Sequence, residues 1–271
     1  MSDDINKPTS NQVMAAVRRI LDNGATGVLA TLIAAPANVG AKIFIEETGR
    51  RAGSLGDRDL DNAVSGFAAD FLGSRAEVRS FAVSEFAPQL REWTGAQVLL
   101  ERIQPEPRVV ICGAGHVGAS LARLASLLGY RVTLIDDRAE FLTRQLFPEH
   151  TIELIATADW AVAVREAIGN GRGLSVAVVT RGHNEDEECL RAVMTTNADY
   201  VGLIGSKRRT NIVLDRLRQT GADEDRLKRV HAPIGLDIGA VTPEEVALAI
   251  LAEMVARRRG GKGGSLSTWR R

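Results

Sequence analysis

Cysteine is scarce in this chain: Cys112 and Cys189 are the only two in 271 residues, and neither stands in a Cys-x-x-Cys or Cys/His spacing. That argues against a disulfide framework and against a structural zinc site. Cys112 falls inside an apolar run, where burial is the default. Net charge is also missing, since Lys+Arg and Asp+Glu both number 34 and leave no domain-wide positive field to gather nucleic acid. No nucleic-acid partner is expected. The sequence has no apolar stretch near the roughly 20 residues that span a bilayer, and Met1-Ser-Asp-Asp-Ile-Asn-Lys is too acidic and polar to open a secretory signal. The expectation is a cytoplasmic protein with no membrane partner. No internal repeat of fixed period is present.

What is there suffices for a sizeable core: 45% of residues are apolar, and the length suits two domains better than one. Helical periodicity at Val13, Met14, Val17, Ile20 and Leu21 follows cap-type residues Thr9 to Asn11 and stops at Asn23-Gly24. Residues 27–34 and 41–46 read as strands, and Asp57 as the cap of a helix burying Leu60, Val64, Phe67, Ala68 and Phe71. With further strand-like pieces near 78–83 and 98–103, residues 1–103 read as a small α/β domain of mixed sheet. Gln104-Pro105-Glu106-Pro107 then interrupts regular structure and serves as a linker, because each proline removes a donor and restricts its predecessor.

Beyond the linker the pattern alternates. Strands at 108–112, 131–136, 152–156, 174–180 and 200–204 are separated by helical segments at 116–128, 139–146, 160–168, 185–195 and 207–219. Such alternation predicts a Rossmann-like, doubly wound parallel sheet over residues 108–256. Thr242-Pro243-Glu244-Glu245 supplies a cap and a first-turn proline for a last helix to Met254 or Val255, and 257–271 reads as a flexible basic tail.

In an open parallel sheet the ligand sits beyond the carboxyl ends of the strands, which selects four stretches. The first is Gly113-Ala-Gly-His-Val-Gly, where Gly113 permits a tight turn, Gly115 lets backbone approach a pyrophosphate and Gly118 packs helix on strand. His116 either caps the helix or acts chemically. The second is Asp136-Asp137-Arg138. Asp136 lies 23 residues past Gly113, near the spacing of an acid that accepts a ribose hydroxyl, while Arg138 either pairs with Asp137 or meets a 2′-phosphate. The third is Thr180 to Asp186, in which Arg181, Glu185 and Asp186 surround His183, making His183 and Asp186 the acid/base candidates. A satisfied loop histidine is the alternative. The fourth is Gly205-Ser206-Lys207-Arg208-Arg209, cations that oppose the helix macrodipole unless an anion compensates, with Lys207 the first choice as ligand contact. Together Gly113, Gly115, His116, Gly118, Asp136, Arg138, Arg181, His183, Gly205, Ser206 and Lys207 make a candidate site for a phosphate-bearing ligand, and no metal site is expected. The stretch from His231 to Gly239 reads as a rigid wall beside such a pocket, with Asp237 either functional or a turn residue.

At these residues the chain resembles the XdhC/CoxI family, accessory proteins of xanthine dehydrogenase and related molybdenum hydroxylases. The matching stretches are the glycine turn, Val132 to Arg138, Val179 to Asp186, Tyr200 to Arg209 and Pro233 to Glu245. The resemblance implies a non-catalytic factor that binds a molybdopterin-type molybdenum cofactor, assists its sulfuration and delivers it to the apoenzyme, acting as a homodimer. Its implied partners are a molybdenum hydroxylase apoenzyme and a sulfur-donating desulfurase. The family's Gly-Gly-Cys-Glu-like segment appears here as Gly53 to Asp61 without its cysteine, and neither Asp57 nor Asp59 supplies a soft thiolate. Two other readings stand beside this one: an NAD(P)-dependent oxidoreductase using His183 as acid/base, and a nucleotide-sensing module whose N-terminal domain engages a partner.

Overall fold

Alternating apolar residues in short strands, and apolar stripes on the helices between them, give each part of the chain its own sheet and core. A computed structural model describes residues 7–74, 76–169 and 173–267. It divides into two compact units, Met1–Pro105 and Glu106–Arg271.

In the first unit, α1 (Lys7–Asp22) is followed by β1 (Gly27–Ala34), β2 (Lys42–Glu46), β3 (Arg51–Ser54), α2 (Arg58–Gly73), β4 (Val78–Ala82), the single-turn α3 (Val83–Phe86) and β5 (Gln97–Ile103). Thr9 to Asn11, expected to cap α1, lie inside it, because the helix begins at Lys7. The strand order is β3-β2-β1-β5-β4, and every pair is antiparallel, not mixed as expected. The reason is topological: the single long helical crossover, α2, joins β3 to β4, which occupy opposite edges and never pair. Ile43 and Ile45 face the α2 side with Leu60, Val64, Ala68 and Phe71, whereas Phe44 turns to the α1 residues Val13, Ala16 and Ile20.

The second unit runs β6 (Arg108–Cys112), α4 (His116–Leu127), β7 (Arg131–Asp136), β8 (Ile152–Ala156), α5 (Trp160–Ile168), β9 (Leu174–Val178) and α6 (His183–Val193). Then come β10 (Tyr200–Leu203), α7 (Lys207–Gln219), the short α8 (Glu224–Leu227) and α9 (Pro243–Arg259). The sheet is parallel throughout, in the order β10-β9-β6-β7-β8. α4 and α9 cover one face, and α5, α6 and α7 the other. This is the Rossmann arrangement, with its switch point between β6 and β9. Cys112 and Cys189 both lie in the core with 0% exposure.

Two expectations need correction. The helical segment over 139–146 is only a 3-10 turn at Ala139–Phe141, since Leu142 leaves helical dihedrals at φ −114 and ψ 58. The last helix does not fray at 257 but continues through Arg259 and ends on Gly260 at φ 65. Its final arginines sit where the helix dipole favours cations, and the Arg258 guanidinium lies 4.9 Å over the Tyr130 ring. Among the described residues no helix is long and apolar enough to cross a membrane.

Candidate functional site

A cleft of about 460 Å³ opens at the switch point, lined by residues that follow β6, β7 and β9, by Trp160, Ile204, Gly205 and Arg209, and by Pro243 at the start of α9. Its floor begins at the glycine turn. Gly113 adopts φ 114, and a Cβ there would fall 2.6 Å from the Val179 carbonyl oxygen, so both conformation and space demand glycine. A Cβ on Gly118 would fall 1.8 Å from the Gly113 carbonyl oxygen, which makes this residue a packing glycine, and it is absent from the lining. Gly115 differs: it lines the cleft, and a Cβ on it would meet nothing within 4 Å. It also precedes α4 with no side-chain cap, so first-turn amides are left for a ligand or water. His116 and Val117 follow it in the lining.

At the end of β7, Asp136 is 1% exposed, and both of its oxygens are taken. Oδ1 accepts from the Arg138 backbone amide at 2.9 Å and Nε at 2.8 Å, while Oδ2 accepts from the Ala114 amide at 2.6 Å and Arg138 Nη2 at 2.9 Å. Burial pushes the Asp136 carboxyl up, but the bonds from Arg138 and the Ala114 amide outweigh it and hold the pKa at about 2. The acid expected to accept a ribose hydroxyl thus ties the glycine turn to the β7 end. Arg138 prefers Asp136 to Asp137, which stands 3.7 Å from its Nε, and its guanidinium lies 4.1 Å over the Phe141 ring. Asp137 instead takes Arg181 Nη2 at 2.9 Å, and both line the cleft.

Under the far side sits Asp186, 0% exposed, accepting from Thr180 Oγ1 at 2.5 Å and Arg209 Nη2 at 2.6 Å. Burial pushes its carboxyl up, more than Thr180 and Arg209 pull it down. Asp186 is therefore beneath the cleft and not in its lining. His183 opens α6 on the exposed surface, again outside the lining, as are Ser206 and Lys207 at the start of α7. Ser206 caps that helix through the Arg209 amide at 3.3 Å.

Of the candidate residues, Gly113, Gly115, His116, Asp136, Arg138, Arg181 and Gly205 line the cleft; Val117, Asp137, Thr180, Glu185 and Arg209 join them from the same four stretches, whereas Trp160, Val179, Ile204 and Pro243 lie outside those stretches. The strand-end rule would have found Trp160, which opens α5 just past β8. Nothing in the run 207–209 separates Arg209 from its neighbours, because helical phase at a terminus is set by the cap. The His231 to Gly239 segment forms no wall of the cleft. Glu253 of α9 anchors it, accepting from the Tyr200 hydroxyl at 2.5 Å and the Gly235 amide at 2.9 Å and bonding His231 Nδ1 at 2.9 Å.

The comparisons with known proteins agree with this architecture. The XdhC Rossmann domain description matches residues 109–254, and that of the XdhC and CoxI family matches residues 20–82. The chain belongs to the XdhC and CoxI family. Among relatives of this XdhC-family chain, the uncharacterized protein YqeB of Escherichia coli strain K12 is 36% identical over 158 residues, 58% of the chain and 28% of that protein. A probable xanthine dehydrogenase subunit from Bacillus subtilis strain 168 is 28% identical over 162 residues, 60% of the chain and 46% of that protein. The matched region is thus less than half the length of either relative. A crystal structure of a xanthine dehydrogenase from Bacillus halodurans superposes with a TM-score of 0.66 at 21% identity, covering 93% of the chain and 68% of that structure, a likeness of fold.

In the first unit, the acids of the segment from Gly53 to Asp61 stabilise local structure. Asp57 caps α2 through the Leu60 amide at 2.8 Å, and Asp61 accepts from Ser54 Oγ at 2.7 Å and the Leu55 amide at 2.8 Å.

Proposed function

We propose that this protein holds the phosphate-bearing end of a molybdopterin-type molybdenum cofactor in the cleft and serves the maturation of a xanthine dehydrogenase-type molybdenum hydroxylase. The observation that carries the reading is the start of α4 behind Gly115, which has no side-chain cap and whose first residues line a cleft at the switch point of a Rossmann sheet. Family membership and the name of the Bacillus subtilis relative supply the molybdenum hydroxylase context.

The residues present fit the phosphate end. The backbone from Gly113 to Val117 would receive a pyrophosphate, with Arg181 at the rim. The metal end draws no ligand from this chain's cysteines, both fully buried, and no group of three His, Cys, Asp or Glu able to hold a metal occurs among the described residues. The cofactor supplies the molybdenum centre and its redox chemistry; this chain's residues bind and orient the carrier end. Delivery then requires the apoenzyme as a partner, and sulfuration a desulfurase as donor, with a second copy of the chain as the assembly the resemblance implies.

Gly115→Ala separates binding from folding. Its Cβ meets no atom and its φ of −65 suits alanine, so thermal stability should hold while affinity for the cofactor's cytidine dinucleotide form falls at least tenfold. Wild-type protein that binds neither that form nor molybdopterin at micromolar concentration, by calorimetry, would end this reading. Binding of NAD(P)H instead, seen by fluorescence, would favour the oxidoreductase.

A further inference from the structure

Arg209 stands apart from the other cleft arginines. Arg138 uses its Nε and Nη2 on Asp136, and Arg181 pairs with Asp137 at the exposed rim. Arg209 is held at one end only. Its Nη2 donates to Asp186 Oδ2 at 2.6 Å, and that carboxylate is fixed in turn by Thr180 on its other oxygen. Its stem lies over Gly205, where a Cβ would fall 3.1 Å from Arg209 Cδ. A charged bond to a carboxylate out of reach of water keeps the guanidinium from swinging. Yet Arg209 Nε is buried and has no acceptor, and of the described side-chain atoms in that condition it alone belongs to a residue lining the cleft. A buried N–H without an acceptor is costly, and in a residue that lines a cleft it calls for a partner the protein does not itself supply, a water or an anion.

We infer that Arg209, aimed by Asp186, is an oxyanion-binding residue of the cleft, its Nε–H taking an oxygen of a phosphoryl group. The inference deepens the proposed binding of a phosphate-bearing ligand and rests on it. The carboxylates in the lining do not oppose such a group equally: Asp137 is matched by Arg181, and Glu185 folds back on Gly182, where a Cβ would fall 1.9 Å from its Oε2. Lys207 and Arg208, exposed on the same helix start, raise the local potential without lining the cleft.

The test uses the full chain with two probes, inorganic pyrophosphate and cytidine diphosphate, titrated by calorimetry. Arg209→Lys keeps the charge but loses the rigid fork, and should weaken binding at least tenfold. Lys228→Gln, an exposed cation just past α8 and outside the cleft lining, should change it less than twofold. Because Arg209→Gln alone strands the Asp186 charge, the double variant Asp186→Asn/Arg209→Gln is the folded reference in which the loss must persist. In the wild type the Arg209 Nε–H resonance should move on adding pyrophosphate, which a merely structural arginine would not show. An effect on both probes assigns the subsite to a nucleotide diphosphate, and an effect on pyrophosphate alone to a free anion. Unchanged affinity in a folded double variant, or a wild type that binds neither probe at millimolar concentration, overturns the inference. Cofactor binding by the wild type is measured separately, so either idea can fail alone.

Discussion

Asp136 gives both oxygens to its own unit, joining the Ala114 amide on one side to the Arg138 guanidinium on the other. Its folded pKa of about 2 lies below the ordinary 3.8, so the carboxylate's contribution is fully present above pH 4 and is lost as pH falls towards 2. Asp136→Asn should therefore lower unfolding free energy by roughly 2 kcal/mol at pH 7, with the gap closing between about pH 4 and pH 2. Urea midpoints across that range measure it, and equal midpoints at pH 7 would show that the pair stabilises nothing. The residue pattern located this acid correctly at a strand end, but not its task. Which oxygens a ligand can reach depends on Arg138 lying over Phe141 and folding back, a matter of side-chain packing that spacing does not encode.

At the scale of elements, the glycine turn shows three glycines with three different constraints. Gly113 answers to φ, Gly118 to contact with the Gly113 carbonyl, and Gly115 to neither. Gly118→Ala forces helix α4 away from β6 and should destabilise the second unit by roughly 1–3 kcal/mol, the usual range for overpacking. A denaturant curve for this variant that overlays the wild type would contradict the contact. The glycine spacing, the strand before it and the helix after it were all legible in the sequence, because turn chemistry and period 3.6 are local. The 139–146 segment was not: its apolar residues Phe141 and Leu142, with Phe147 just beyond, pack on the core of the second unit as a turn. Burial can satisfy an apolar residue in either conformation, so periodicity alone did not decide.

For the whole molecule, the buried clusters of the first unit draw only on residues up to Ile103, and those of the second begin at Val109. Each unit therefore carries its own core, and residues 106–271 expressed alone should unfold in one cooperative transition and keep the phosphate-ligand affinity of the full chain. A broad, non-cooperative melt monitored by circular dichroism would refute that. The sequence by itself determined the boundary near the prolines, the alternation that makes a parallel sheet, and the glycine turn at its switch point, since all three follow from local backbone preferences and periodic burial. Only the tertiary structure decided that the first sheet is antiparallel, that Asp136 faces inward, that His183 and Lys207 stay outside the cleft and that Arg209 enters it. These depend on strand order and on charged groups meeting across elements, where a few ångströms of packing choose the partner.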